Sequence, residues 1–100
     1  MNDDVDLMSL REAVLNCDRL RHLFADLAAF ACVADVRLKG GATARSLDGS
    51  LTLEQAFTAL TIQQSGAVQL RYVYDSQNWC DTITRQSNGY RLVRAPVCVD

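Results

Sequence analysis

The segment Arg71–Thr82, RYVYDSQNWCDT, concentrates groups that could do chemistry, because three aromatic rings, one thiol and two carboxylates lie within twelve residues. A thiol beside a carboxylate suggests nucleophilic or acid–base catalysis. Aromatic rings among arginines suggest a nucleic-acid surface or a pocket for a polar ligand. Each of these chemistries needs partners at particular spacings, so each can be tested against the rest of the sequence.

Catalysis is poorly supported by the residues around this segment. A cysteine nucleophile needs a base within reach, and the only histidine, His22, belongs to a different predicted element from Cys80. Asp75 and Asp81 are separated by half a predicted strand, and aspartate is common at turns for conformational reasons. The sequence therefore favours a protein that is not an enzyme.

Metal and cofactor sites are also poorly supported. The sequence has no CxxC, CxxH or HxxxH spacing, and Lys39 precedes its glycine pair, which is the reverse of a phosphate-binding loop. The four cysteines could pair as two disulfides, but a reducing compartment favours free thiols, and helical spacing predicts that Cys17 and Cys32 are buried as small apolar residues. We expect no metal and no cofactor.

The first third of the chain has the pattern of an amphipathic helix. Ser9 and Glu12 have the spacing of a capping box, and an apolar stripe follows at alternating steps of four and three residues: Ala13, Cys17, Leu20, Phe24, Leu27 and Ala31. Asn16 and Asp18 favour helix ends over helix interiors. The pattern fits one helix of about 22 residues or two shorter helices with a break near 16–18.

The rest of the chain predicts a sheet with one inserted helix. Apolar and polar residues alternate over Val33–Lys39, which predicts a strand, and residues 42–47 carry a weaker strand signal. A capping box at Thr52–Gln55 begins a helix that should end near Gln64. Three strands are expected at about 67–74, 79–86 and 90–95, with the second pair joined by an Asn88-Gly89 turn.

These elements predict an α+β fold. A helix or helix pair and one inserted helix should pack on one face of a mainly antiparallel sheet of three to five strands, which ends in a meander at the end of the chain. The length of 100 residues fits one domain, 1–100, and the acidic segment 1–8 is expected to be a flexible tail.

Two-residue turns between the last three strands would place the aromatic rings on the face that the helices cover. On this register Tyr74 lies opposite Trp79, and Asp81 and Arg94 also face inward. A buried charge without a partner is costly, so this pair should form a structural ion pair. The alternative is a small-ligand pocket lined by the inward polar and aromatic side chains, which are Tyr72, Trp79, Asp81, Tyr90 and Arg94.

The same register argues against nucleic acid as a partner. Stacking of bases requires aromatic rings and basic groups on one exposed surface, whereas here the rings face inward and Arg71 and Arg91 face outward. The formal net charge of −2 gives no attraction to polyanions. No apolar run approaches the length that spans a membrane, and the acidic beginning does not resemble a secretory signal, so we expect a cytoplasmic protein.

Two functions from different classes remain after these exclusions. The first is a small non-catalytic interaction or accessory domain that acts through a protein partner or as a homodimer, because a long helix rich in leucine, phenylalanine and alanine could exceed what a small sheet covers. The second is a domain that binds a small polar ligand between the sheet and the helices.

Overall fold

Two helices cover one face of a five-stranded antiparallel sheet. The computed structural model describes residues 11–39, 52–62 and 66–97. The elements in chain order are β1 (Glu12–Leu15), α1 (Cys17–Phe30), β2 (Cys32–Lys39), α2 (Leu53–Thr61), β3 (Ala67–Tyr74), β4 (Gln77–Gln86) and β5 (Gly89–Pro96). The predicted α+β class, with a meander of strands at the end of the chain, is confirmed.

The order of strands across the sheet is β1-β5-β4-β3-β2, and each neighbouring pair is antiparallel. The two edge strands, β1 and β2, are consecutive in the sequence and are joined by α1. The helix therefore connects opposite edges of the sheet, and the first strand pairs with the last.

The beginning of the chain differs from the prediction of one or two helices. Residues Glu12–Leu15 form a strand, and the helix begins at Cys17, where the Oδ1 atom of the N-cap Asn16 accepts a hydrogen bond from the backbone N–H of Arg19 at 2.8 Å. A break near 16–18 was one of the two predicted alternatives, but the segment before it pairs with β5 and is not helical. Ala13 and Leu15 fit a helix as well as a strand, because two apolar residues in so short a segment do not distinguish the two periodicities.

The inserted helix agrees with its capping signal. Thr52 and Gln55 form the predicted capping box, with hydrogen bonds of 3.0 and 2.8 Å, and the helix ends at Thr61, three residues before the predicted end. The predicted tail at 1–8 and the weak strand at 42–47 lie outside the described residues.

The core lies between the helices and the inner face of the sheet, which we define as the face toward α1 and α2. Phe24 of α1 meets Phe57 of α2 edge to face, with ring centroids 5.7 Å apart. Among the described residues, the fully buried leucine, isoleucine and valine side chains come from both layers and are Leu20, Leu23, Leu27, Leu60, Val68, Leu70, Ile83 and Leu92. Burial of each leucine contributes about 1.5–3 kcal/mol.

Phe30, at the end of α1, is 68% exposed, whereas the other large apolar residues of the helix are buried. The apolar stripe of α1 is buried on the sheet, and α1 is only 14 residues long. Cys17 and Cys32 are exposed, so the prediction that they are core thiols was wrong: Cys17 is the first residue of the helix, on its open side, and Cys32 lies at the start of an edge strand. No helix in the described part of the chain is long and apolar enough to cross a membrane.

The first hairpin has a different register from the predicted one. Asp75 and Ser76 form the two-residue turn, so Trp79 lies opposite Tyr72 and not opposite Tyr74. The turn needs left-handed backbone at both central positions, and Asp75 and Ser76 have φ of 56° and 65°. This register is shifted by two residues from the predicted one, which leaves every side chain on its predicted face.

Candidate functional site

Asp81 and Arg94 form an ion pair in the interior of the protein. They lie directly opposite each other on the neighbouring strands β4 and β5, and their residues are 0% and 5% exposed. The guanidinium binds the carboxylate with two contacts of 2.8 Å, one from Nε to Oδ1 and one from Nη2 to Oδ2. This bidentate geometry is the strongest that an arginine and a carboxylate can form.

Tyr72 completes this cluster from the next strand. Its hydroxyl donates a hydrogen bond of 2.8 Å to Oδ1 of Asp81, and the guanidinium carbon of Arg94 lies 5.9 Å from the centre of its ring. Burial raises the pKa of Tyr72, and the negative charge of Asp81 raises it further, against the opposing effect of Arg94. The phenol is therefore held in its protonated, donating form.

The charge of Arg94 is stabilised by the same contacts. Burial alone would lower the pKa of Arg94, but the hydrogen bonds and the negative charge of Asp81 outweigh burial and leave that pKa raised. The cluster therefore consists of one anion, one cation and a neutral hydroxyl. Its internal charge balance explains how two ionised groups are accommodated within the core.

Trp79 and Arg11 lie next to the buried pair. Trp79 is half-buried, and its Nε1 donates to the backbone oxygen of Tyr74 at 3.4 Å. The guanidinium of Arg11 lies 4.5 Å from the centre of the indole ring, at the distance of a cation–π contact. Arg11 is positioned by the pairing of β1 with β5, because its backbone oxygen accepts from the N–H of Arg94 at 2.7 Å.

Arg11 was missed by the sequence reasoning because residues 12–15 were interpreted as helix. A helix would not have paired with β5, so nothing placed Arg11 near Trp79. The signal that could have found it is the alternation of Arg11, Ala13 and Leu15, which places all three on one face of a strand.

The structure brings together four of the five residues predicted to line a ligand pocket. Tyr72, Trp79, Asp81 and Arg94 lie at one end of the inner face, whereas Tyr90 is four residues from Arg94 on β5 and lies opposite Leu15, near the other end. The sequence pattern assigned Tyr90 to the inner face without giving its position along that face.

The polar atoms of this cluster are satisfied by one another. Among the described residues, no buried side-chain nitrogen or oxygen lacks a hydrogen-bond partner. A bound ligand is therefore not needed to explain the inward charges, and ligand binding remains a prediction. No three His, Cys, Asp or Glu side chains in the described ranges are grouped so that they could hold a metal ion.

The opposite face of the sheet, which we call the outer face, offers a second candidate site. Its centre is an uncharged patch formed by alternate residues of β3, β4 and β5: Val73, Asn78, Cys80, Thr82, Val93 and Ala95. Val93 is 41% exposed and Val73 is 37% exposed, although both are β-branched apolar residues.

Charged side chains border this patch on both sides. Glu12 of β1 pairs with Arg91 of β5 on one side, and Asp35 pairs with Arg37 of β2 on the other. Arg71 of β3 lies opposite both Asp35 and Cys80 in the sheet. The outer face thus has an uncharged centre and a border that carries both signs of charge.

No family model, curated protein or solved structure matches the chain. The function must therefore be inferred from the geometry of the chain itself.

Proposed function

We propose that this protein is a small non-catalytic interaction domain that acts as a homodimer through its outer face. The observation that supports this most directly is the position of both helices on the inner face, which leaves the uncharged patch of the outer face exposed. The buried Asp81–Arg94 pair then has a structural role, because it fixes β4 against β5 beneath that patch.

The composition of the outer face supports an interface. Protein interfaces have a core depleted in charge and a polar rim, which is the arrangement of the uncharged patch and its border. Five strands about 4.8 Å apart and on average about eight residues long give a face of roughly 600 Å² before side-chain relief is included. This is close to the roughly 800 Å² per partner of a standard interface.

The edges of the sheet are less suited to association. The edge strand β2 carries Asp35 and Arg37 and has an irregular register between Val33 and Asp35, while β1 is only four residues long. Charges, bulges and short strands are the features by which sheets avoid pairing through their edges. Association is therefore more favourable through the face.

A second copy of the chain is the occupant that fits this face best. The described border includes Glu12 and Asp35 as well as Arg37, Arg71 and Arg91, so neither sign dominates. A polyanion would be recognised by a surface of one positive sign. A copy of the same chain carries both signs and can meet each with its opposite.

Sedimentation equilibrium of three proteins tests this proposal. The unmodified chain should show a concentration-dependent dimer, and Val93→Lys should be monomeric, because it replaces an exposed apolar residue of the patch with a charge. Ile62→Lys is the matched control, since Ile62 is 74% exposed at the end of α2 and lies away from the outer face. A monomeric unmodified chain, or a dimer that persists in Val93→Lys, would contradict the proposal.

The alternative function, binding of a small polar ligand beside Trp79, has its own measurement. Trp79 is the only tryptophan, so its fluorescence reports on the end of the inner face where Arg11 contacts the indole. A saturable fluorescence change with one compound of a metabolite panel, lost in Arg11→Ala, would support this alternative.

A further inference from the structure

We infer that the twofold axis of the dimer runs parallel to β4, so that β1 of each copy faces β2 of its partner. This inference rests on the proposed function, and it adds the orientation of the partner and the contacts that fix it. It follows from the order of charged and uncharged residues across the outer face.

One row of residues crosses the whole outer face. Strand pairing places Arg37, Gln69, Thr82, Val93 and Glu12 side by side, in that order from β2 to β1. The row is therefore basic at one edge of the sheet, uncharged in the middle and acidic at the other edge. Glu12 and Arg37 have side chains that are 57% and 61% exposed, so both can contact a partner.

An axis parallel to β4 superposes this row on the reversed row of the partner. Thr82 then faces the partner's Thr82, and Val93 faces the partner's Gln69. At the two ends Glu12 faces the partner's Arg37, and the same contact repeats at the other edge because a twofold interface is self-complementary. Each Glu12 carboxylate then lies between Arg91 of its own chain and the partner's Arg37.

An axis perpendicular to the strands that passes through this row gives the opposite result. Each strand would then face its own copy, so that the β1 edge meets the β1 edge and the β2 edge meets the β2 edge. Glu12 would approach the partner's Glu12, and Arg37 would approach the partner's Arg37. Like charges placed against each other disfavour that arrangement.

The contacts between Glu12 and Arg37 are exposed, so they determine the orientation of the dimer more than its strength. An exposed ion pair contributes roughly 0.2–1 kcal/mol, and the dimer contains two such contacts. Replacing two attractive contacts by two repulsive ones should therefore weaken the dimer on the order of tenfold. The uncharged patch supplies most of the buried apolar surface.

A mixture of two charge-reversed variants tests the orientation. Glu12→Arg alone places two arginines together at each contact, and Arg37→Glu alone places two glutamates together, so each variant should dimerise on the order of tenfold more weakly than the unmodified chain. In a heterodimer of the two variants both contacts are attractive. Native mass spectrometry of an equal mixture should therefore show heterodimers well above their statistical share.

Glu54→Arg mixed with Arg37→Glu is the matched control, because Glu54 lies on α2 and away from the outer face. This mixture should show no excess of heterodimers. A statistical distribution for Glu12→Arg with Arg37→Glu would overturn the inferred orientation. If Val93→Lys still abolished the dimer in that case, the proposed function would stand without the orientation.

A crosslinking experiment tests the same orientation without changing Glu12 or Arg37. In a background where all four native cysteines are serine, Val93→Cys and Gln69→Cys chains are mixed and treated with a short bis-maleimide. The inferred axis predicts crosslinks between the two different chains, because β5 faces the partner's β3. Crosslinks confined to pairs of Val93→Cys chains would show that β5 faces β5 and would overturn the inference.

Discussion

The inward direction of Asp81 and Arg94 could be predicted from the alternation of side chains along β4 and β5. Alternation has a period of two, so a register shifted by two residues leaves both residues on the same face. Their direct opposition could not be predicted in this way, because it depends on where each turn is made. Arg11 could not be predicted at all while residues 12–15 were interpreted as helix.

The ion pair predicts a large difference between single and double replacement. Arg94→Met leaves the Asp81 carboxylate buried with the Tyr72 hydroxyl alone, which should lower the free energy of unfolding by about 3–5 kcal/mol. Asp81→Asn combined with Arg94→Met removes both charges and should recover most of that loss. Urea unfolding of the three proteins measures these differences.

Arg91→Met is the matched control for this prediction. Arg91 lies on the same strand but on the outer face, and its partner Glu12 is exposed, so its replacement should cost less than about 1 kcal/mol. A loss in Arg94→Met no greater than the loss in Arg91→Met would mean that the buried pair does not stabilise β4 against β5.

Tyr72 predicts a loss of stability at high pH. Because its pKa is raised in the folded protein, the folded state keeps the phenol proton at pH values where the unfolded chain, with a pKa of about 10, releases it. The stabilisation is complete below pH 10 and declines as the pH rises above that value. Tyr72→Phe cannot show this decline, although it loses the hydrogen bond to Asp81 and should cost about 1–3 kcal/mol at neutral pH.

The measurement is the difference in unfolding free energy between the unmodified protein and Tyr72→Phe as a function of pH. This difference should be constant up to about pH 9 and should then shrink by up to about 1.4 kcal/mol for each pH unit above 10. A difference that stays constant at high pH would show that the Tyr72 phenol ionises as readily in the folded protein as in the unfolded chain.

Some strands and helices could be predicted from local sequence signals, and others could not. Local capping signals correctly predicted the start of α2, and β-branched and aromatic residues predicted β3, β4 and β5. The segment of β1 is too short for periodicity to decide, because four residues with two apolar positions fit a helix or a strand equally. Its structure is set by pairing with β5, which is almost eighty residues away in the chain.

The pairing of β1 with β5 restricts which residue can stand at position 89, the start of β5. The φ of Gly89 is 141°, and a Cβ atom at this position would lie 2.6 Å from the backbone oxygen of Leu15 in β1. Gly89→Ala should therefore lower the free energy of unfolding by about 1–3 kcal/mol, because the backbone is strained and β1 must move. The predicted Asn88-Gly89 turn was displaced by one residue, because the turn residues are Ser87 and Asn88 and Gly89 pairs with Gln86. The close approach of Gly89 to β1 was not visible in the sequence.

Gly66→Ala provides the comparison in thermal or urea unfolding. A Cβ atom at Gly66 would meet nothing within 4 Å, so this substitution should change the free energy of unfolding by no more than about 0.5 kcal/mol. Equal effects of the two substitutions would indicate that the contact between Gly89 and β1 does not contribute to stability.

The inner and outer faces of the sheet have different roles in the whole molecule. The inner face contains the core and the buried pair, so substitutions there should change the stability of each chain. The outer face contributes little to the core, so substitutions there should change association. The sequence predicted which residues lie on each face. Among the described residues, the exposed large apolar side chains lie on the sheet, at Val14, Val73 and Val93, and also at the ends of the helices, at Phe30 and Ile62.

A dimer formed through the outer face should make thermal stability depend on concentration, because association stabilises only the folded chains. A hundredfold increase in protein concentration should raise the unfolding midpoint of the unmodified chain by about 5 °C for a domain of this size. Val93→Lys should unfold at one temperature at all concentrations, since it removes association and leaves the core intact. Differential scanning calorimetry over this range measures both. A midpoint independent of concentration in the unmodified chain would show that folding and association are not coupled, and the outer face would then not be a dimer interface.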